Sequence, residues 1–440
     1  MTRDPGTSDP MPNAFVPGQG ALGPVETAMV ARRQSLLGPA YRLFYETPVH
    51  LVRGQGVWLY DPDGNAYLDT YNNVASVGHA HPRVVSAMAE QAATLATHTR
   101  YLHDGVLAYA ERLLGHFPAP LTHVMFTCTG SEANDLALRI ARAATGGTGV
   151  IVTANAYHGV TASVAECSPS LGRGVPLGPH VRAIPAPNPH AADPAATFAA
   201  DVQAAIDDLQ RHGIKPALLM VDTVFSSDGL FTDPTTVLAP AAAAIRSAGG
   251  LFLADEVQPG FGRMGAAMWG FQRHGVLPDM VSLGKPMGNG YPVAGLVLQP
   301  PVIAEFGRAA RYFNTFGGNA VAAATAMAVL SVIEDEGLMQ NAAQTGAMFR
   351  KGLEALAKDY AALGDIRGAG LFLAADIVTD GQPDRARAAL LVNALREERI
   401  LISATGAEGN TLKIRPPLVF SEDNAAFFLD RLSKILNRGL

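Results

Sequence analysis

An acidic residue and a lysine each stand where an apolar run of the chain stops. Asp255 follows the run Leu251 to Ala254, and Lys285 follows the run Met280 to Leu283. Short apolar runs of this kind are typical of strands that are buried on both faces of a parallel sheet. A lysine at the end of such a strand is partly desolvated, which lowers its pKa and lets its amine form an imine with a carbonyl compound.

The chain has six lysines, and Lys285 is the only one of them that follows a buried strand pattern in a glycine-rich turn. The segment from Gly284 to Gly290 is too rich in glycine to continue as a strand or a helix, and it predicts a loop. An ordinary solvated lysine stands more often on a helix face, as Lys351 and Lys358 are expected to do.

Two segments combine hydroxyl side chains with glycine just before a helix pattern. They are residues 128–134, which include Gly130 and Ser131, and residues 313–319, which include Thr315. Free amides at a helix N-terminus, together with hydroxyl groups, form an anion site that suits a phosphate. For the first segment, an ordinary helix cap by Ser131 is an equally good explanation.

An aromatic ring and a carboxylate complete the set of chemical groups. Tyr157 and His158 follow the strand pattern of residues 150–155, and a ring there can stack on a planar cofactor, although plain packing is the commoner role. Asp255 can pair with a protonated pyridine nitrogen, with a helix cap or an ion pair as the alternative. Two phosphate-type segments, a ring, an acid and a lysine are together the components of a pyridoxal phosphate site.

The elements that must position these residues alternate between strand and helix, as in parallel α/β sheets. Strands are predicted at His123 to Cys128, Gly149 to Thr153, Val181 to Ile184, Ala217 to Val221, Leu251 to Ala254, Met280 to Leu283 and Val293 to Leu298. Helices are predicted at Ser131 to Ala144, Thr197 to His212 and Val237 to Ala248. The predicted fold class is therefore α/β, with a large domain around a mostly parallel seven-stranded sheet.

The chain ends carry shorter patterns that predict a second, smaller unit. The runs 49–53, 56–60 and 66–69 predict a small N-terminal sheet, and a turn at residues 364–371 precedes the predicted strand Phe372 to Ile377. That strand has no partner of its own length nearby, so the N-terminal strands are expected to complete it. The result is a small α+β domain built from both chain ends. The expected boundaries are residues 25–75 and 319–440 for the small domain and residues 76–318 for the large domain.

Composition limits the classes of function. The 440 residues carry 33 basic and 39 acidic side chains and no basic stripe, which argues against a nucleic acid partner. The two cysteines, Cys128 and Cys167, indicate a reducing compartment and lack the spacing of a metal site. Residues 1–24 resemble neither a signal peptide nor a membrane span and predict a mobile or partner-wrapped arm. These features fit a soluble, cytoplasmic protein that acts on small molecules, without a membrane partner or a metal.

The motifs resemble those of the class III aminotransferases, which are fold type I pyridoxal phosphate enzymes, over residues 40–435. The segments that carry the resemblance occur in the family's order and are residues 130–134, 157–159, 255–263, 284–285 and 315–319. The resemblance implies that Lys285 carries the Schiff base of pyridoxal 5'-phosphate and that Asp255 holds the ring nitrogen. It also implies that the substrate amine displaces Lys285, whose freed amine then acts as general base.

The same resemblance implies further contacts. Val257 would press on the cofactor ring opposite Tyr157, Gln258 would lie near the ring hydroxyl, and Thr315 would reach the phosphate of the neighbouring subunit. A homodimer with shared active sites follows, with a tetramer as a further option. The full predicted set of cofactor contacts is Gly130, Ser131, Tyr157, His158, Asp255, Val257, Gln258, Lys285 and Thr315. The predicted substrate contacts are Asn73, Ser227, Lys413 and Arg415.

Two departures from the family pattern leave the reaction open. Ser227 stands where many members carry a glutamate, and Lys413 stands where an arginine is usual, with Arg415 two residues further along the same strand face. The main prediction is an aminotransferase that moves an amino group from a small primary amine or amino acid to a keto acid. The alternative is a lyase that eliminates phosphate or ammonia from a phosphoethanolamine-like or aminophosphonate substrate, since several segments resemble the family's phospholyases. The pair Ser226 and Ser227 adds a dialkylglycine-type decarboxylase as a lesser alternative.

Overall fold

The computed structural model describes residue 11, residues 13–18 and residues 20–440. Its strands are β1 Arg53–Gln55, β2 Trp58–Tyr60, β3 Ala66–Asp69, β4 His123–Thr127, β5 Gly149–Thr153, β6 Val181–Ile184, β7 Pro216–Asp222, β8 Leu251–Asp255, β9 Met280–Leu283, β10 Ala294–Leu298, β11 Leu363–Ala369, β12 Phe372–Thr379, β13 Gln382–Pro383, β14 Ile400–Leu401, β15 Ser403–Thr405 and β16 Thr411–Ile414. Its α-helices are α1 Pro24–Leu37, α2 Pro82–Thr94, α3 Asp104–Leu114, α4 Gly130–Thr145, α5 Ala162–Ala165, α6 Pro194–Arg211, α7 Leu238–Ser247, α8 Gly270–Arg273, α9 Pro300–Ala309, α10 Ala320–Asp335, α11 Leu338–Asp359, α12 Arg385–Glu397 and α13 Glu422–Leu436. Short 3₁₀ helices span Pro169–Leu171 and Lys285–Gly288.

The largest sheet has seven strands in the order β4, β10, β9, β8, β7, β5 and β6. Neighbouring strands are parallel except for β10, which is antiparallel to both β9 and β4. The predicted sheet is confirmed. In register, Asp222 of β7 lies beside Asp255 of β8, which lies beside Ser282 of β9. The carboxyl ends of these strands therefore meet at one edge, the usual place for a ligand in such a sheet.

This sheet is covered by helices on both faces because its strands send apolar side chains alternately to each side. On one face Val150 and Leu218 belong to the same apolar cluster as residues of α4 and α9. On the other face Ile151 and Leu219 pack in the cluster that holds α6 and α7. Helix α6 begins three residues before the predicted start, because Asp193 accepts a hydrogen bond from the backbone of the first turn and caps the helix.

Two smaller sheets are built from the ends of the chain. The first contains β1, β2, β3 and β14, and Ile400 of β14 pairs in parallel with Leu68 of β3. The second contains β11, β12, β16 and β15, with β13 paired to β12. The predicted small α+β unit from both chain ends is confirmed, while its exact boundaries stay a prediction.

Three details of the small sheets differ from the expectation. Strand β12 pairs with β11 and β16 and not with the N-terminal strands. Residues 364–371, predicted to be a turn, hold most of β11, because only Gly370 and Leu371 separate β11 from β12. The run 49–53 is not a strand, since β1 begins only at Arg53. Glycine content suggested a turn at residues 364–371, and apolarity suggested a strand at residues 49–53. In both segments, hydrogen-bond pairing with neighbouring strands decides the structure instead.

Strand β16 connects the second small sheet to the large sheet. It lies between β12 and β15, with Lys413 opposite Ala374 on one side and Ser403 on the other. Arg263, which is buried in the loop after β8, donates from Nη1 to the carbonyl oxygen of Pro416 just beyond β16. The backbone of β16 is therefore held on both edges and again at its end.

Part of the predicted N-terminal arm, residues 1–10, 12 and 19, lies outside the described residues. Within residues 13–18, Asn13 Oδ1 accepts a hydrogen bond from Ser403 Oγ at 2.9 Å, and the Phe15 amide donates to the Leu43 carbonyl oxygen at 2.8 Å. Helix α1 was not expected, because it lacks an apolar stripe, and none of its residues is buried. Among the described helices, none combines the length and apolarity that crossing a membrane requires.

Candidate active site

Asp255 is a buried carboxylate held by three hydrogen bonds. Its Oδ2 accepts from His158 Nδ1 at 2.7 Å and from Asn134 Nδ2 at 2.9 Å, and its Oδ1 accepts from the Val257 amide at 3.1 Å. Burial alone would raise the pKa of Asp255, but the hydrogen bonds and positive charge of His158, aided by Asn134, hold the pKa below its usual value. The site therefore presents a fixed anion, as a protonated ring nitrogen requires.

Lys285 is brought to the same cavity as Asp255. It follows β9 and opens the 3₁₀ helix Lys285–Gly288, so the predicted loop is in part a single helical turn. Its Nζ lies 5.9 Å from the centre of the Tyr157 ring. Burial and then the charge of Arg415 lower the pKa of Lys285 to about 8, against the opposing carboxylates of Asp255 and Asp222. About a tenth of the amine is therefore unprotonated at pH 7, far more than for an ordinary lysine, and this form acts as a nucleophile or base.

The N-terminus of α4 lines the same cavity and supplies an anion site. Thr129, and not Ser131, caps this helix, because Thr129 Oγ1 accepts from the Glu132 amide at 3.1 Å. The amides of Gly130 and Ser131 are in the first turn, where a helix has no internal acceptor for them. The Ser131 hydroxyl accepts from the Val160 amide at 3.1 Å, which ties this turn to the segment after Tyr157. Together these groups suit a bound phosphate.

Gly159 packs directly against the first turn of α4, and this close approach predicts a measurable effect. Its φ is +137°, and an added Cβ would lie 2.8 Å from the Ser131 Cα. We expect Gly159→Ala to weaken binding of pyridoxal phosphate about 10- to 100-fold, because such backbone strain costs about 1–3 kcal/mol. Titration of the apoprotein, followed by cofactor absorbance, measures the affinity. Gly174→Ala is the matched control, since an added Cβ there meets no atom within 4 Å; equal affinities of the two variants would contradict the assignment of this turn.

The first cavity has a volume of about 320 Å³ and holds most of the predicted cofactor contacts. The predicted residues that line it are Gly130, Ser131, Tyr157, His158, Asp255, Val257, Gln258 and Lys285. A Cβ on Gly130 would lie 2.8 Å from Val257 Cγ2, so a side chain there would fill the space beside the helix N-terminus. An anion, an amine, an aromatic ring and a helix N-terminus around one cavity fit pyridoxal phosphate.

A second cavity of about 440 Å³ adjoins the first and shares Tyr157, Gln258 and Lys285 with it. Ser227, Lys413 and Arg415 line it, which brings together three of the four predicted substrate contacts. Arg415 is buried, and its Nε and Nη2 donate to the Tyr71 carbonyl oxygen at 3.1 and 3.0 Å. Its Nη1 donates to Gln258 Oε1, so Gln258 contacts the arginine as well as the first cavity.

Two predicted residues do not line either cavity. Asn73 is buried, and its Nδ2 donates to the Gln258 carbonyl oxygen at 3.1 Å, so it supports the site from behind. Thr315 is exposed in the loop before α10. That loop is nevertheless tied to the helix N-terminus, because Asn314 Nδ2 donates to Glu132 Oε2 at 3.0 Å and Glu132 accepts from the Cys128 amide through the same oxygen.

Sequence reasoning did not assign roles to several residues of the site. Asn134 lies within the motif of residues 130–134, and its position one helical turn after Gly130 indicates that it faces the sheet. Asp222 ends β7 as Asp255 ends β8 and lines the first cavity. Arg173 and Arg385 line the second cavity from segments with no motif, and no pattern in the sequence points to them.

Comparison with known proteins identifies the class. A sequence profile described as Aminotransferase class-III matches residues 44–436, so the chain belongs to the class III aminotransferase family. It is 39% identical over 423 residues to "Alanine--glyoxylate aminotransferase 2-like" of Drosophila melanogaster. The alignment covers 92% of this chain and 86% of the relative. It is 36% identical over 439 residues to "Ethanolamine-phosphate phospho-lyase homolog 1" of Caenorhabditis elegans. This alignment covers 93% of this chain and 94% of the relative.

A solved structure is more similar still. A phospholyase from Arthrobacter in complex with phosphoethanolamine aligns with a TM-score of 0.90 and 44% identity, over 93% of this chain and 99% of that chain. The predicted family, fold type and enzyme class are confirmed, and the protein is a pyridoxal-phosphate-dependent enzyme. Both reactions favoured by the sequence, amino transfer and phosphate elimination, have counterparts among these relatives.

Proposed function

We propose that the enzyme eliminates phosphate from a small phosphorylated amino alcohol of the phosphoethanolamine type. One observation carries this proposal: within the described residues, the second cavity is lined by basic side chains and by no carboxylate. The basic residues are Arg173, Lys285, Arg385, Lys413 and Arg415. The three arginines among them stay protonated, and this positive charge suits a phosphate dianion better than a single carboxylate.

Ser227 supports the same proposal. It stands where the family resemblance places a glutamate, so no acid at this position offsets Lys413 and Arg415. The neighbouring Asp228 is occupied elsewhere, because it accepts from Thr153 Oγ1 at 2.7 Å and from the Asn155 amide at 2.9 Å. Within the described residues, the lining of the second cavity therefore holds basic groups and no carboxylate to repel an anionic substrate.

The chemistry of the chain's own residues follows from their positions. When bound, pyridoxal phosphate supplies an electron sink that stabilises negative charge on the carbon next to the amine. The Asp255 carboxylate would hold the protonated ring nitrogen in the first cavity. Arg415 binds the substrate phosphate, and the neutral Lys285 amine accepts the proton from the amine-bearing carbon. The net reaction converts phosphoethanolamine and water into acetaldehyde, ammonia and phosphate, which requires no oxidant and no keto acid.

The decisive experiment measures products with and without a keto acid. The holoenzyme incubated with phosphoethanolamine is expected to release phosphate and acetaldehyde in equal amounts at a rate that added pyruvate does not change. Colorimetric phosphate and enzymatic acetaldehyde assays measure this result. Alanine formation from pyruvate without phosphate release would overturn the lyase proposal in favour of amino transfer.

Amino transfer from a small primary amine or amino acid to a keto acid is the second candidate, supported by the 39% identity to the alanine--glyoxylate aminotransferase 2-like protein of Drosophila. We also infer a homodimer, since Thr315 is exposed and outside its own cavity, where it is free to complete the phosphate site of a second copy. Sedimentation of the holoenzyme tests this inference. A cytoplasmic location stays a prediction.

A further inference from the structure

Lys413 places an unpartnered amine inside the second cavity. Its side chain is only 7% exposed, and its Nζ has neither a hydrogen bond nor an ion pair with a described residue. Its Nζ lies 5.7 Å from the centre of the Phe372 ring. Lys413 lies on β16 and Arg415 lies just beyond the end of this strand, two residues further on, and both line the cavity.

Charges from several elements face this amine. Arg415 and the protonated form of Lys285 contribute positive charge, whereas the carboxylates of Asp222 on β7 and Asp228 just after β7 contribute negative charge. Burial and then the charge of Arg415 hold the pKa of Lys413 well below the usual value of a lysine, against the two carboxylates. A phosphate dianion that enters the cavity adds negative charge beside Nζ and favours the ammonium form. The amine is therefore suited to gain and lose a proton during turnover.

Phosphate elimination needs such a group. When the carbon–oxygen bond of a dianionic phosphate ester breaks, the oxygen keeps the electron pair, and without a proton it would leave as the trianion. The monohydrogen dianion is a far better leaving group. Arg415 cannot supply the proton, because a guanidinium stays protonated in proteins. Lys285 accepts the proton from carbon; if it also passed that proton to the leaving oxygen, kcat would not depend on a proton from Lys413.

We propose that Lys413 is the general acid that protonates the bridging oxygen of the departing phosphate; this inference rests on the proposed lyase function. In this step the carbon–oxygen bond breaks, the electron pair remains on oxygen, and the proton of the Lys413 ammonium forms the new oxygen–hydrogen bond. Monohydrogen phosphate and a neutral amine result, and the amine regains its proton from solvent. A lysine at this position, where the family usually has an arginine, thus serves proton transfer as well as binding.

Substitutions that separate charge from proton donation test the proposal. Lys413→Arg keeps a positive charge, so we expect KM for phosphoethanolamine to change less than about 5-fold, while kcat for phosphate release falls about 10²- to 10³-fold. Lys413→Met loses both functions and is expected to raise KM as well. Cofactor absorbance and circular dichroism of each variant report on folding.

Proton uptake gives a second readout that does not depend on turnover. Calorimetric titration of the holoenzyme with inorganic phosphate, in buffers of different ionisation enthalpy, is expected to show uptake of up to about one proton per phosphate by the wild type and clearly less by Lys413→Arg. Wild-type kcat in Lys413→Arg, or equal proton uptake by both proteins, would overturn the general-acid role. Failure of the wild type itself to release phosphate would instead overturn the lyase function.

Discussion

Replacement of Lys285 by alanine is expected to lower kcat of the holoenzyme by about four orders of magnitude, because it removes both the nucleophilic amine and the general base. Lys285 lines the first cavity together with Asp255, and no other lysine of the described chain does so. Product release in steady-state assays measures the loss. Added small primary amines should restore part of the rate, since they can enter the space that the side chain leaves.

A lysine elsewhere provides the control for this experiment. Lys351 is exposed on α11, and Lys351→Ala should keep wild-type kcat. The pH dependence adds a further check, because the base must be unprotonated: with the pKa of Lys285 at about 8, the limb of the pH profile on which the rate rises with pH should lie near that value. Lys285→Ala with activity near that of the wild type would remove Lys285 from its proposed role.

Asp255→Asn is expected to lower kcat about 10²- to 10³-fold and to weaken binding of pyridoxal phosphate. The change is nearly isosteric but removes the negative charge that would face a protonated ring nitrogen. It also leaves His158 and Asn134 with one good acceptor fewer, because both donate to the same carboxylate oxygen. Steady-state kinetics and cofactor titration measure the two effects.

The matched control, Asp279, lies just before β9 and contacts the opposite end of β8. Asp279 Oδ2 accepts from the Phe252 amide at 2.8 Å and pairs with Arg246 at 3.0 Å, so Asp279→Asn removes an ion-paired carboxylate remote from the cavities. It should reduce stability somewhat and leave the affinity for pyridoxal phosphate unchanged. A similar loss of affinity in both variants would show that Asp255 acts through the fold and not through the cofactor.

The sequence was sufficient to predict the large sheet and the two residues at its centre. Asp255 and Lys285 follow apolar runs that can only be buried strands, and parallel strands bring their carboxyl ends to one edge. The tight turn before α4 was also predictable, because hydroxyl and glycine residues precede a helical pattern. These features depend on local pattern alone.

Other parts of the site depend on packing between distant segments. Sequence could not show that Thr129 and not Ser131 caps α4, or that Asn73 supports Gln258 from behind. Strand β11 was missed because its glycines suggested a turn, whereas pairing with β12 decides its conformation. The basic residues Arg173 and Arg385 reach the second cavity from loop and helix segments whose sequences carry no motif.

Strand β16 also has a consequence for how substrate range can change. Its backbone is paired with β12 and β15, and Arg263 fixes the carbonyl of Pro416 at its end. Side chains at position 413, and at position 415 just beyond the strand, can therefore be exchanged while the backbone stays in place. Such a strand allows evolution, or an engineer, to alter anion binding and proton transfer through single substitutions, without rebuilding the fold around Lys285 and Asp255.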